Sequence, residues 1–368
     1  MNLDIEVAAR EDTPAWLVYG TPVFTVVAAL AVSATALVAQ NVSPLAAYEV
    51  MFVETLTTQL GLEQTLIKAV PLILTGLAVY FPLKAGLWNI GAEGQLYLGA
   101  IVGTWIGLNV GTPLFVRIPL MLLGAALAGA VWAGIPAWLR AKWDINEIIT
   151  TLLLTFVAIE LANYMVRGPM QGGQGNFPQS ELLPTAGSLP NLLGTRVHAG
   201  IVVAVLMVIV TYVIINMSRF GFEITLTGEN HEAAEQAGMN TFKVYVLALV
   251  VGGLFAALAG VGEIAGVQGR LKSSFSPGYG FTAIPIALLG RNGAFRVLLA
   301  SLFFALLFVG GSAVKVNYAV SASLVEVIQA LIILFLITAE FFKSYTVDVG
   351  IESPRTGGTA GSQVGGDA

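Results

Sequence analysis

Long apolar runs alternate with short polar connections along most of the chain. The full-length runs are close to the roughly 17–25 residues that an α-helix needs to cross about 30 Å of hydrocarbon. One run is much shorter, which indicates a broken or partly inserted helix. The pattern therefore predicts an all-α, polytopic membrane protein with about ten helices, at residues 16–39, 65–81, 96–110, 114–139, 147–166, 198–217, 243–262, 281–289, 297–314 and 321–342.

Composition changes at both ends of this pattern. The start is acidic and lacks the basic residues and the small-residue cleavage site of a signal peptide, so the first run is predicted to be a membrane helix. The final stretch is rich in glycine and lacks large apolar side chains, which is typical of disorder. The predicted organisation is a tail at 1–14, a membrane domain at 15–345 and a disordered tail at 346–368.

The composition excludes several classes of function. Hydrophobic residues make up 56% of the chain and charged residues 11%, with a mean hydropathy of +0.82, whereas about 25% of the residues in soluble domains are charged. With no cysteine and only two histidines, disulfides, thiolate metal sites and histidine metal clusters are not expected. The phosphate-loop, zinc-protease and nucleophile-elbow motifs are missing from the sequence, so we expect neither an enzyme nor a cofactor bound by this chain.

Charge adds information on partners and orientation. The net charge of −5 argues against nucleic acid as a partner, and an acidic balance is also common in proteins from a salt-rich cytosol. The chain has 17 lysines and arginines. Somewhat more of them lie in the connections on the same side of the membrane as the N-terminus than in those on the opposite side. By the positive-inside rule, both termini are predicted to be cytoplasmic.

Small residues recur every four positions in two of the predicted helices. Gly99, Gly103, Gly107 and Gly111 form a stripe in the third helix, and the segment at 252–260 repeats the pattern in the seventh. Such stripes allow the backbones of neighbouring helices to approach closely. We therefore expect a tightly packed bundle.

A polar stretch interrupted by glycine precedes the third helix. Within FPLKAGLWNIGAEGQLYLGA, residues 81–100, the side chains of Asn89, Glu93 and Gln95 lie close to membrane depth. Irregular backbone at that depth is tolerated only inside protein or beside a water-filled cavity, and intramembrane carboxylates tend to mark pathways. The stretch predicts a broken helix at a substrate pathway or gate. An ordinary cytoplasmic turn is the alternative.

A second polar pair occurs inside the fifth predicted helix. Glu160 and Asn163 are three residues apart and therefore lie on nearly the same helical face. This spacing predicts either the polar lining of a pathway or a hydrogen bond between helices.

A polar island, TGENHEAAEQAGMN at 227–240, separates the sixth and seventh apolar runs. It predicts a short helix that Thr227 or Asn230 caps at its start and that Gly238 ends in a left-handed conformation. Alanine and glycine give this helix one smooth side on which another chain could dock. The residues predicted to take part are Gly228, Glu229, Asn230, Ala233, Ala234, Ala237, Gly238 and Met239.

Several segments together resemble a known family. FGFEITLTGENHEAAEQAGMN is similar to the cytoplasmic coupling segment of ATP-binding-cassette importer permeases of the branched-chain amino acid, sugar and nucleoside group. Three further segments are similar to the nucleoside and simple-sugar branch of this group: AVPLILTGLAVYFPLKAGLWNIGAEGQ, NEIITTLLLTFVA and SPGYGFTAIPIALLGRNGAF. The resemblance covers about residues 43–340. Lys84 matches a basic position of the family. Thr225 or Leu226 stands where the family usually has a basic residue, so docking is expected to be preserved with altered electrostatics.

This resemblance implies a type II importer permease-like bundle, similar to vitamin B12-type permeases. The chain would be one membrane half of an importer for nucleosides or simple sugars in the plasma membrane of a prokaryote, with a cytoplasmic coupling segment at 218–242. The implied partners are a separate ATPase chain that uses ATP and Mg, a second, related permease in a heterodimer, and an extracellular binding protein or lipoprotein. The polar residues at 89–95 and 160–163 would line or gate the path of the small-molecule substrate.

Two other functions fit the residues alone. An ion- or proton-coupled secondary carrier could use Glu93 and Glu160 as titrating groups, and its transport would need no ATPase. A passive channel or an interaction scaffold is the second alternative.

Overall fold

The computed structural model describes residues 2–9, 15–172, 177–184, 187–192 and 194–352. Two π-helical turns lie at Glu49–Glu54 and Ile264–Gln268. The α-helices are α1 (Ala15–Ala39), α2 (Pro44–Tyr48), α3 (Thr55–Thr57), α4 (Gln59–Leu83), α5 (Ala92–Asn109), α6 (Leu114–Trp143), α7 (Glu147–Arg167), α8 (Gly200–Met217), α9 (Arg219–Glu229), α10 (His231–Gln236), α11 (Thr241–Glu263), α12 (Tyr279–Leu289), α13 (Ala294–Tyr318) and α14 (Ala322–Ser344).

Each of the ten predicted apolar runs coincides with one of these helices, so the predicted polytopic helical bundle is confirmed. By length and hydropathy, seven of the described helices can cross a membrane, or up to eight if the bent pair Phe24–Ala39 and Pro44–Thr57 counts as one span. α12 has only 11 residues and corresponds to the short eighth run.

The segment at 44–57 is helical, which the hydropathy pattern did not predict. Its short helices and π-helical turn together fall short of the length of a membrane span. α4 then begins at Gln59, six residues before the predicted start at 65. Thr58 caps it, because the Thr58 hydroxyl accepts a hydrogen bond from the Gly61 N–H at 3.2 Å. Polar side chains in the first turns of α4 concealed this start.

The core of the main compact unit, Ser33–Ala330, is built on α4, α5 and α11. A methyl group on Gly99 would overlap the backbone of Ala257, and one on Gly260 would overlap the backbone of Leu96. The two small-residue stripes therefore set the close contact between α5 and α11. α6, α7 and α8 instead expose most of their apolar side chains, which suits contact with lipid or with another membrane chain.

The second compact unit combines Met1–Val32 with Leu331–Ala368. It contains two antiparallel strands, β1 (Asn2–Ala9) and β2 (Tyr345–Glu352), which pair in register along their whole length.

β2 lies where the sequence predicted the start of a disordered tail at 346–368, so that expectation is corrected for residues 346–352. The missed signal is the alternation of valine with polar residues in YTVDVGIE, because alternation is the pattern of a strand. The remainder of the predicted tail lies outside the described residues.

Candidate functional site

The polar island at 227–240 contains the last residues of α9 and the whole of α10, so the predicted short helix is present and begins after Asn230, one of its two predicted caps. Asn230 separates α9 from α10, because its backbone is extended (φ −152°). Its side-chain oxygen accepts a hydrogen bond from the Ala233 N–H at 2.9 Å and caps α10. Gly238 adopts φ +75° after α10, as predicted. Thr227, the alternative cap, is buried, and its hydroxyl donates to the Glu223 carbonyl at 2.7 Å.

The small residues of this segment do not share one exposed side. Ala234 is 0% exposed and faces its own chain. Ala233 and Met239 are partly buried, whereas Ala237 and Gly238 are exposed. The smooth side expected from the sequence is therefore divided into an inward half and an outward half. Exposed polar and glycine positions at 228–230 continue the outward half.

α9 packs against the loop at 84–91, which joins α4 to α5. Gly228 lies so close to this loop that a methyl group on it would overlap the carbonyl oxygen of Lys84. On the other side of the contact, a methyl group on Gly86 would lie 3.5 Å from the Gly228 Cα. Gly86 also has φ +76°, a conformation that favours glycine. Glycine on both sides thus lets the two backbones touch.

A chain of polar contacts makes a second connection between the polar island and the same loop. His231 Nδ1 lies 3.0 Å from the Tyr245 hydroxyl, and their rings stack with centroids 5.5 Å apart. The Arg140 guanidinium lies 5.9 Å from the centre of the Tyr245 ring and pairs with the Glu147 carboxylate at 3.3 Å. Glu147 accepts a hydrogen bond from the Trp88 N–H at 3.2 Å. α10 is therefore tied through α11, α6 and α7 to the loop at 84–91.

Lys84 lies at the junction of α4, this loop and α9. Burial lowers the pKa of the Lys84 ammonium group, the nearby Arg291 guanidinium lowers it further, and the Glu229 carboxylate of α9 raises it. The ammonium also lies 5.7 Å from the centre of the Tyr80 ring. Basic and acidic groups from three connections therefore meet at one face of the bundle.

Asn89 and Gln95 form a reciprocal amide pair inside the bundle. Each side-chain nitrogen donates to the other side-chain oxygen at 2.9 Å, and Asn89 also donates to the Ala78 carbonyl at 3.0 Å. The exposed fractions are 0% for Asn89 and 1% for Gln95. Because buried amides are stable only when hydrogen-bonded, the pair fixes the loop at 84–91 against α4 and α5.

Glu93 connects the start of α5 to the start of α12. Its carboxylate is 2% exposed and accepts a hydrogen bond from the Gly280 N–H at 2.6 Å. That N–H belongs to the first turn of α12, where the helix dipole favours negative charge. The contact is close, since a methyl group on Gly280 would overlap the Glu93 backbone. The predicted intramembrane carboxylate thus holds the end of a short helix.

Glu160 and Asn163 lie apart from this cluster, on α7. Glu160 is exposed and Asn163 is partly exposed, and the Asn163 amide donates to the Glu160 carboxylate at 3.4 Å. The hydrogen bond is therefore made within one helix, while the pair faces away from its own chain. Within the described residues, no group of three or more histidine, aspartate or glutamate side chains is arranged to hold a metal ion.

The sequence did not single out Arg140, Glu147, His231 or Tyr245 as parts of this site. Only the four-residue spacing of Arg140 and Asp144, which form an ion pair at 2.6 Å, is visible locally. The remaining contacts join segments far apart in sequence, so no local pattern predicts them.

A helical membrane bundle that connects an exposed polar segment at one face to an interior polar cluster is characteristic of the membrane subunit of a transporter. Comparison with known proteins identifies the kind of transporter. A family model described as branched-chain amino acid transport system / permease component matches residues 61–337. The chain belongs to this family of permease components.

Several relatives are permease proteins of ABC transporters. The glucose ABC transporter permease protein TsgB13 of Haloferax volcanii is 61% identical, and the alignment covers 100% of both chains. The guanosine ABC transporter permease protein NupP of Bacillus subtilis is 32% identical, with 85% of this chain and 91% of the relative covered. The putative glucose ABC transporter permease protein TsgC13 of Haloferax volcanii is 29% identical, with 67% and 75% covered. No solved structure matches the chain.

Proposed function

We propose that this permease subunit forms half of the translocation pathway of an ATP-driven importer for simple sugars or nucleosides. Full-length similarity to TsgB13 carries the proposal and favours a simple sugar, while the similarity to NupP supports a nucleoside as the alternative. The energy comes from ATP and Mg bound by a separate ATPase chain, and solute capture falls to an extracellular binding protein or lipoprotein.

The second half of the pathway is a related permease, so that the complex is a heterodimer in the membrane. Two proteins of one organism, TsgB13 and TsgC13, are both similar to this chain, which supports a pair of different permeases. The exposed apolar faces of α6, α7 and α8 offer surface for such a partner. Glu160 and Asn163 are on one of these helices and are assigned to the lining of the pathway.

The complex lies in the plasma membrane of a prokaryote, with a membrane domain at 15–345 and a cytoplasmic coupling segment at 218–242. Lysine and arginine side chains at the face that holds the coupling segment support a cytoplasmic location. Pairing of β1 with β2 supports a location of both termini on one side.

The ATPase docks on the outward half of the coupling segment, at Gly228–Asn230 and Ala237–Gly238. Movement of this surface pushes α9 through Gly228 onto the loop at 84–91. The Asn89–Gln95 pair keeps that loop fixed to α5, and Glu93 carries the movement to α12. Asn89, Glu93 and Gln95 thus act as parts of a gate.

A bulky residue on the docking surface tests this proposal. Ala237→Trp places an indole on an exposed position, and we expect ATP-dependent uptake to fall by about tenfold or more, because overpacking an interface costs about 1–3 kcal/mol. The amount of the chain in the membrane should not change, since Ala237 is exposed. Ala237→Ser is the matched control and should transport normally.

Cross-linking provides a measurement that does not depend on uptake. Because the chain contains no cysteine, Ala237→Cys introduces a single thiol that should form a cross-link to the ATPase in native membranes. A cysteine at the buried Ala234 should not form one. Normal uptake by the tryptophan variant, or a cross-link from position 234 alone, would contradict the assigned docking surface.

A further inference from the structure

A groove of about 820 Å³ opens in the main unit, away from the coupling segment. α4 relates the two regions, since its first turns line the groove and its last residue leads to Lys84 at the contact with α9. Since α4 has 25 residues and rises about 1.5 Å per residue, the groove and that contact lie close to a membrane thickness apart. The groove is therefore at the extracellular end if the coupling segment is cytoplasmic.

The lining combines hydrogen-bonding groups with apolar surface. Six segments contribute to it: the π-helical turn with α3, the start of α4, the connection before α8 at Arg196, the start of α12, the end of α13 and the start of α14. Twelve of the lining residues carry polar side chains. Its volume falls within the range of about 300–1,000 Å³ that is usual for sites of small molecules.

The charges of the lining are nearly balanced. Two carboxylates, Glu54 and Glu326, lie among three basic side chains, Lys68, Arg196 and Lys315. Among the described residues, none of these five forms an ion pair within 4.0 Å. Charged groups that are not paired with one another can make strong hydrogen bonds to neutral hydroxyl groups. A site of nearly balanced charge does not select for a strongly charged ligand.

Two side chains of the lining are held in place while they keep hydrogen-bonding capacity. The Lys68 ammonium donates to the Tyr279 hydroxyl at 2.6 Å, which leaves two of its three hydrogens. Gln329 is 8% exposed and donates to the Leu307 carbonyl at 2.9 Å. Within the described residues, the Gln329 side-chain oxygen accepts no hydrogen bond, so it is available as an acceptor.

The wall of the groove contains an irregular backbone that the rest of the bundle supports. The π-helical turn at Glu49–Glu54 is pinned by α13, because a methyl group on Gly310 would overlap the Met51 backbone. π-helical turns are rare and frequently occur at functional sites.

From this geometry we infer that the groove is a solute vestibule, in which a neutral, hydroxyl-rich small molecule binds before it enters the pathway. The inference rests on the proposed import function. The groove also adjoins the proposed gate. Tyr279 lines the groove, and the next residue, Gly280, donates its N–H to the Glu93 carboxylate. Bound solute thus contacts the same short helix that the coupling segment reaches from the opposite face.

Filling the groove provides the first test. Ser312 is exposed within the lining, and among the described residues its hydroxyl donates only to the Phe308 carbonyl of its own helix, so Ser312→Trp should occupy the groove without removing a hydrogen bond to another element. We expect ATP-dependent uptake of D-glucose or guanosine, whichever the wild type transports, to fall by about tenfold or more. Ser323→Trp is the matched control, because Ser323 is exposed but does not line the groove. Equal uptake by both variants overturns the inference.

Protection from labelling provides the second test and needs no ATP. Ser312→Cys should react with a water-soluble maleimide, and millimolar D-glucose or guanosine should slow that reaction in proteoliposomes that contain the complete transporter. Protection by the solute-loaded binding protein alone, without protection by free solute, identifies a protein-docking surface and overturns the inference. Lack of protection by either also overturns it.

The two levels of the hypothesis fail in different ways. If the wild-type complex takes up neither solute with ATP, the proposed import function is wrong for these solutes, whatever the labelling shows. If wild-type uptake requires ATP and Ser312→Trp transports normally, only the vestibule is wrong.

A comparison of two smaller substitutions, Glu54→Gln and Glu49→Gln, tests the vestibule through the KM for uptake. The first should raise the KM for uptake about threefold or more, and the second, outside the lining, should not.

Discussion

The cluster around Glu93 and the segment around α10 use the same kinds of polar residue in opposite ways. Glu93, Asn89 and Gln95 are at most 2% exposed, and each is hydrogen-bonded to another segment of the bundle. Before α10, Asn230 caps the helix by accepting a hydrogen bond from the nearby Ala233 N–H, and the glutamates of α10 are exposed. A buried polar group fixes one arrangement because breaking its bond leaves it unsatisfied. An exposed polar group is hydrogen-bonded to water and can replace that water with a polar group of another chain.

This difference predicts separate responses to mutation. Changes in the cluster should destabilise the chain itself, whereas changes in α10 should weaken the proposed connection to an ATPase and leave the bundle folded. Gly228, where the two regions meet, should respond in both ways.

The largest effect is expected from Glu93→Ala. The substitution leaves the buried Gly280 N–H without its acceptor. An unsatisfied buried group lowers the free energy of unfolding by about 1–3 kcal/mol, and by more when the lost partner is charged. We expect a lower thermal unfolding temperature of the detergent-solubilised chain and a loss of uptake. Glu160→Ala, which removes an exposed carboxylate from α7, is the control for stability. Equal unfolding temperatures for both variants would show that Glu93 does not hold α12.

A smaller effect on stability is expected from Gly228→Ala. The added methyl group meets the Lys84 carbonyl oxygen, and forcing backbones apart costs about 1–3 kcal/mol. Because the contact joins α9 to the loop at 84–91, ATP hydrolysis should continue while uptake per ATP falls. Gly262→Ala is the control, since a methyl group there meets nothing within 4 Å. Unchanged uptake per ATP would remove this contact from the transmission route.

The smallest effect on the bundle is expected from Asn230→Ala. Loss of the cap destabilises α10 by about 0.5–2 kcal/mol and leaves the buried helices untouched. We expect a normal unfolding temperature, faster hydrogen exchange at 231–236 and weaker retention of the ATPase during purification. Asn230→Asp retains a capping oxygen and should restore both properties. A lower unfolding temperature for Asn230→Ala would mean that α10 is part of the core.

Local chemistry explains why parts of the site could be predicted. The Asn230 cap and the left-handed Gly238 depend on residues within one or two helical turns, so their side chains and backbone preferences indicate them directly. The direction in which Ala234 faces could not be predicted, because alanine fits an interface within the chain as well as an interface with another chain.

The membrane character of the chain and the positions of its long helices follow from the amino-acid sequence alone. Every apolar side chain contributes independently to transfer into hydrocarbon, and the lipid thickness fixes the length of each span. Hydropathy therefore predicted runs such as 114–139 and 147–166, which match α6 and α7 closely.

Which polar groups meet depends on how the helices pack in three dimensions. Glu93 and the Gly280 N–H are 187 positions apart, and the groove brings together six separate segments. Such pairs depend on how α4, α5, α11 and α12 pack, and packing is fixed by many small contacts at once instead of by any one motif. The same reason explains why the residues at 44–57 were not predicted: they are too short for a span and fold against helices that come much later in the chain.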